Sequence, residues 1–295
     1  MRSERGQGTV EWVGLVLLVS LAMLAMVAAG VRVPGASLAR AVAERLLCAA
    51  ALADSCGDEP ALVAAYGTEL GKLVRDHMPA LVFEQGSSAL PVDFRRCRSS
   101  ACSDGPGEGL VSRSDEGLPV TAFVHVVDCR EGKAERTEAE GADCSGERAG
   151  NLYVQYWTYY ADSATLRDVP VAGGKGYHAD DWESVQLRFG PDGQVDQRAS
   201  SHHGYNYTRG NANWASDTGL LSQAGWGPET RLLFVSGGSH AGRARDLTEI
   251  TRFTPGDQVH LIPLEEIAAT DTTPFAVSPP WLKKVWRDPE AEGTS

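Results

Sequence analysis

From about residue 80 onward, apolar and polar residues alternate in short runs broken by Gly, Asp and Pro clusters, the pattern of strands joined by tight turns. The spacing predicts strands over residues 121–128, 151–160, 181–189, 194–200, 231–236 and 258–263. Ahead of them the period is helical. Residues 37–54 place Leu38, Val42, Arg45 and Leu46 on one side, with Ser37 as N-cap. A second helix is expected from Pro60 to about His77, with a buried stripe of Leu62, Tyr66, Leu70, Leu73 and Val74, and Pro79 ends it. Residues 103–117 and 130–150 read as polar loops, and residues 288–295 as a frayed tail. No internal repeat is visible.

The first apolar run is of another kind. Residues 12–31 carry no charge, and these twenty residues make about 30 Å of helix, the thickness of a bilayer's hydrocarbon core. Arg2 and Arg5 precede the run and Glu11 stands at its threshold. No small-residue cleavage site follows it, so it differs from a secretory signal. The expected organisation is a leader and transmembrane helix (1–33), a helical stalk or packing segment (34–78) and a β-sandwich domain (79–295). The fold class is thus mainly β, preceded by a membrane helix and one or two short helices. By the positive-inside rule the leader stays cytoplasmic and the C-terminal domain lies outside a single-pass cell membrane.

Composition narrows the function classes. A net charge of −12 argues against nucleic acid and against electrostatic adhesion to anionic lipid. The six cysteines contain no CxxC pair and no accompanying His cluster, which speaks against zinc. They fall into local couples, and an even number in an exported domain favours disulfides. The expected pairs are Cys48–Cys56, Cys97–Cys102 and Cys129–Cys144, one of fifteen possible pairings.

The densest polar cluster is Tyr177-His178-Ala179-Asp180-Asp181-Trp182-Glu183. Strand alternation puts Asp181, Glu183, Val185, Leu187 and Phe189 on one face, apolar except at its first two positions. Two carboxylates at the mouth of a buried face need compensation. A divalent cation such as calcium or magnesium would supply it, with Asp181, Glu183 and His178 as ligands. A nearby Arg or backbone donors would serve equally. Two His-containing turns, Ser201-His202-His203-Gly204 and Gly238-Ser239-His240-Ala241, follow predicted strands. Together with the acidic cluster they point to one polar pocket, whereas each His alone reads as a turn cap or core hydrogen-bonder. Trp214 and Trp226, in Gly/Asn-rich loops, are read either as a ligand platform or as core plugs. There is no nucleophile elbow and no phosphate loop. No nucleotide or haem cofactor is implied.

Two resemblances bear on function. The segment Gly6-Gln7-Gly8-Thr9-Val10-Glu11 resembles the prepilin leaders of type IV pilin-like proteins, especially the Flp and TadE-like forms of tight-adherence systems. The resemblance implies cleavage after Gly6 by a prepilin peptidase. It makes Gln7 the new terminus and Glu11 the fifth residue, paired in assembly with a neighbouring pilin-like subunit's amine. The ordered set Leu152-Tyr-Val-Gln-Tyr-Trp157, His178-Ala-Asp-Asp-Trp-Glu183, Ser201-His-His203 and Gly238-Ser-His-Ala241 resembles the vacuolar protein sorting 62-like family, over about residues 73 to 287. The Asp181-Trp182-Glu183 core is also similar to the necrosis- and ethylene-inducing proteins, β-sandwich toxins with a G-H-R-H-D-W-E motif and an acidic cation site. Asp180 stands where those toxins carry their second histidine.

The expectation is therefore a membrane-anchored, extracellularly displayed β-sandwich that binds a glycan, lipid headgroup or envelope protein. The binding residues would be His203, His240, Trp182, Trp214 and Trp226. The alternatives are a metal-dependent hydrolase of an envelope substrate and a structural pseudopilin.

Overall fold

The computed structural model describes residues 60–164, 177–201, 204–207, 225–245 and 249–291. The expected membrane helix, the helix at 37–54, Gly6, Gln7, Glu11, Cys48, Cys56, His202, His203 and Trp214 lie outside the described residues. Among the described residues no helix is long and apolar enough to cross a membrane.

The helical stripe expected over 60–77 is present, but split. Helix α1 (Pro60–Tyr66) and helix α2 (Thr68–His77) meet at Gly67, whose φ of 81° lies in the left-handed region that glycine enters without steric cost. Both still bury the expected side chains: Leu62 and Val74 are fully enclosed, and Tyr66, Leu70 and Leu73 pack against the same core. The two helices thus pack into the core of the β domain.

The protein is mainly β, with two sheets and few helices. One sheet joins β1 (Ala80–Glu84), β2 (Gly109–Leu110), β9 (Leu232–Val235), β10 (Gly242–Arg243) and β11 (Ile250–Thr254) in the order β10-β9-β1-β11-β2. The other runs β12-β3-β4-β5-β6-β7, from His260–Pro263, Thr121–Asp128, Leu152–Ala164, Tyr177–Phe189, Val195–Ser201 and Gly204–Asn206, with β8 (Gly227–Pro228) on β6. Leu81 and Phe83 of β1 and Leu233 and Val235 of β9 share one core with Val124, Val154, Tyr156, Val185 and Leu187 of the larger sheet. The two sheets therefore face each other across it.

The larger sheet is covered on its other face as well. Residues 264–291 lie over it, where Leu264, Ile267, Phe275, Trp281 and Val285 pack with Phe94, Phe123, Trp157, Tyr159 and Trp182. Cover on both faces explains why the first ten residues of β4 are all buried instead of alternating. It also corrects the reading of the C-terminus. Arg198, fully enclosed, donates from Nη2 to the carbonyls of Pro289 and Ala291 at 2.6 and 3.3 Å, and Glu290 accepts from Tyr153 Oη at 2.7 Å and Trp226 Nε1 at 2.6 Å. Residues 288–291 are an anchored strap, not a frayed end. Disulfides join Cys97 to Cys102 and Cys129 to Cys144, two of the three expected pairs.

Candidate functional site

Strands β4 and β5 pair antiparallel with Tyr160 opposite Asp181 and Thr158 opposite Glu183. The same register puts Tyr156 opposite Val185 and Val154 opposite Leu187, so the odd-numbered face of β5 runs from two carboxylates into the shared core. This is the alternation the sequence predicts.

The turn after β9 closes on that acidic end. The Ala164 N–H donates to the Gly238 carbonyl at 2.8 Å, and a side chain at Gly238 would collide with the Ala164 carbonyl oxygen at 2.3 Å. Glycine lets the turn reach the end of β4 and deliver His240. The imidazole stacks on Tyr160, with centroids 3.9 Å apart and planes 4° from parallel, and its Nδ1 lies 2.8 Å from Asp181 Oδ2. Both partners are buried. His240 has a φ of 53°, a conformation that costs a non-glycine residue about 1–2 kcal/mol.

Asp180, at φ 57°, turns to the other face. Arg98, inside the Cys97–Cys102 loop, grips it with Nη2 at 2.7 and 2.6 Å from the two carboxylate oxygens. Tyr159 Oη donates at 2.7 Å and the Ala276 N–H at 2.8 Å. Burial works to raise this carboxyl, but Arg98, Ala276 and Tyr159 together hold it below the ordinary aspartate value. Asp180 is a fully satisfied anchor.

Glu183 sits where β6 leaves the ladder and accepts a hydrogen bond from the Ser200 hydroxyl, which in turn accepts from the Ser184 N–H. Burial, reinforced by the neighbouring Asp181 charge, pushes the Glu183 carboxyl well above the usual range, while Ser200 and Lys283 oppose that. Lys283, in the segment 264–291 that covers the larger sheet, is itself buried, which lowers its pKa against the pull of Glu183 and Asp181. The site thus combines an oriented imidazole, two carboxyls and a hydroxyl.

His178 does not join them. It is exposed, with Nδ1 3.3 Å from the Ala179 carbonyl oxygen. Among the described residues no group of three or more His, Cys, Asp or Glu side chains is placed to hold a metal ion. Of the three expected ligands, Asp181 and Glu183 share one face of β5 and His178 stands apart from them. Trp182 points to the opposite face, buried among Phe94, Phe123, Tyr159, Phe275 and Trp281. Trp226 is a core plug and not a platform. Its ring lies between the guanidinium groups of Arg188 at 4.8 Å and Arg198 at 4.4 Å. Sequence reading missed Ser200 and Tyr160 as site residues. Strand register could have found Tyr160, which stands opposite Asp181.

A separate cleft of about 880 Å³ opens between α1, α2, β3 and residues 130–140. On its floor Glu265 takes hydrogen bonds from Tyr66 at 2.6 Å, His125 at 3.1 Å and the Val126 N–H at 3.2 Å. These groups satisfy one another, and the free Nε2 of His125 is bound at 3.0 Å by the Trp286 carbonyl.

No family model matches the chain, and no curated protein matches it. Among solved structures it is similar to NLPPya in complex with mannosamine, at 16% identity over 74% of this chain and 86% of that one, with a TM-score of 0.39. A second structure, NLPPya in complex with glucosamine, gives 17% identity, 66% and 73% coverage, and a TM-score of 0.31. The likeness is loose and gives no residue-level correspondence.

Proposed function

We propose that this chain is a ligand-binding protein displayed outside the cell on an N-terminal membrane helix, and that its binding site is the end of β5 closed by the His240 turn. The reading is carried by one observation: Asp181 and His240 are held together in the interior by backbone at φ 57° and 53° on either side of the contact, at Asp180 and His240. Strain of this kind persists only where surrounding structure enforces it, and it concentrates at functional sites. Convergent acceptors and donors suit a hydroxyl-rich ligand, a glycan or the headgroup of a glycolipid, because vicinal hydroxyls both donate to carboxylates and accept from imidazole and hydroxyl groups.

The uncharged run at 12–31 supports the anchor, and the prepilin-like leader supports processing after Gly6 and packing with other pilin-like helices through Glu11. Two disulfides support an oxidising compartment. The test is binding of the detergent-purified full chain to an array of envelope glycans and lipid headgroups, with His240→Gln as control. Signal that is equal in both proteins removes this site from the account.

One observation favours a second reading. The Asp181–His240 pair is also how proteins orient an imidazole for general acid–base work, which keeps hydrolysis of an envelope substrate open. That reading requires turnover, and its loss in His240→Gln.

A further inference from the structure

The turn that delivers His240 is held at its base by a buried ion pair. Strands β1 and β9 run parallel with Phe83 opposite Val235, which sets the next residues, Glu84 and Ser236, side by side where the turn begins. The ladder of β1 with β11 slips at the same point: Phe83 stands opposite Arg252 and Glu84 opposite Ile250. A slip of this kind ends regular pairing and re-aims a side chain. Glu84 Oε2 accepts from the Gly237 N–H at 3.1 Å, and Oε1 accepts from Arg243 Nη2 at 2.5 Å. Arg243 belongs to β10, which follows the turn, and it also donates from Nη1 to the Ser236 hydroxyl. The Ser236 N–H closes the loop onto the Ala241 carbonyl at 3.1 Å. Arg243 is 6% exposed and the Glu84 side chain 14%.

We propose that Glu84 is a positioning residue of the His240–Asp181 site, acting through Gly237 and Arg243 to fix both ends of the turn that carries the imidazole. A buried ion pair is weak evidence for stability, because desolvation offsets its attraction. Its geometry is another matter. A carboxylate offers two acceptor oxygens, so Glu84 joins the first peptide of the turn to the strand that follows it. His240 needs such a hold, since backbone at φ 53° persists only where the surroundings enforce it. With Glu84 in place the ring lies flat on Tyr160 and meets Asp181. Without it, Gly237 and Arg243 lose their common acceptor and the turn relaxes toward unstrained backbone. The inference rests on His240 belonging to the binding site, but its test reads the imidazole itself and needs no ligand.

The test is proton–carbon NMR of the full chain in detergent micelles, labelled in its seven histidine rings. The signal missing from His240→Gln is that of His240. In the unaltered protein the stacked Tyr160 ring should displace it upfield. The deciding variant combines Glu84→Leu with Arg243→Met, since apolar residues of similar volume often replace a buried ion pair without loss of stability. It should melt close to the unaltered protein and yet lose the upfield displacement. Arg188→Met, which breaks the Asp196 and Glu290 pairs at the other end of β5, should leave the His240 signal in place. If the double variant does not fold, Glu84→Gln, which offers one acceptor oxygen in place of two, should show the same loss. A folded variant with the His240 signal unmoved overturns the proposal. So does an equal displacement in Arg188→Met, or failure of both Glu84 variants to fold, which would make the pair a support of the whole fold. A ligand assay that fails while His240 is correctly placed counts against the binding reading alone.

Discussion

His240 Nδ1 lies 2.8 Å from Asp181 Oδ2, joining a turn of the smaller sheet to a strand of the larger one at the mouth of their common core. The contact fixes the ring's orientation from below, while Tyr160 fixes its plane. A histidine held on two sides presents its remaining nitrogen in one direction, which is the property a recognition site needs.

Asp181→Ala should leave that imidazole buried without its acceptor. The expected cost is about 1–3 kcal/mol, the range for an unsatisfied buried polar group. Urea titration monitored by tryptophan fluorescence measures it, and a loss below about 0.5 kcal/mol, typical of surface changes, would show that the pair is not structurally coupled.

Acid stability should report on Asp180. Its pKa is lowered in the fold, so its contribution is present above the unfolded value and is lost as pH falls through the folded one. Stability of the unaltered protein should therefore decline as pH drops below about 4, the ordinary aspartate value, and the decline should be shallower in Asp180→Asn. Arg98→Ala, which strands the carboxylate, should cost about 3 kcal/mol at neutral pH. Parallel acid profiles for the unaltered protein and Asp180→Asn would contradict the assignment.

Glu183 behaves in the opposite sense. Its pKa is raised, so the stabilisation it gives is full below the unfolded value and is lost as pH rises through the folded one. Glu183→Gln keeps the shape and cannot ionise. Thermal melts across the range from acid to alkaline should show the variant gaining on the unaltered protein as pH rises, with the gap closing below about 4.5. A gap that widens toward acid would reverse the sign and refute it.

Ending the chain after Asp288 should be severe. It removes the carbonyls of Pro289 and Ala291 that Arg198 uses and the Glu290 carboxylate that Arg188, Tyr153 and Trp226 share. A guanidinium left buried and uncompensated costs about 3–5 kcal/mol.

These cases also mark what was legible beforehand. The period-2 pattern of residues 181–189 placed both carboxylates on the core face, and residues 121–128 formed a strand with the predicted ends, because local alternation determines which side a strand residue takes. Strands such as Gly109–Leu110, Gly227–Pro228 and Gly242–Arg243 carry too few residues for any period. The partners were less legible still. Arg98 lies 82 positions from Asp180, and the strap is polar by composition yet buried because Arg188 and Arg198 meet it from two distant strands. Trp226 sits in a Gly/Asn-rich loop that leaves platform and plug equally open, and Glu290, Arg188 and Arg198 make it a plug. Compensation across long sequence separation leaves no local pattern.

The central claim is that the His240–Asp181 end of the sheet binds a hydroxyl-rich ligand. Its most direct test is calorimetric titration of the full chain with the strongest glycan or headgroup found by the array, comparing the unaltered protein with His240→Gln at matched melting temperature. The account predicts one-to-one binding weakened about tenfold or more in the variant, the equivalent of one hydrogen bond of about 1.4 kcal/mol. Equal affinity in the two folded proteins would place the ligand elsewhere and contradict it.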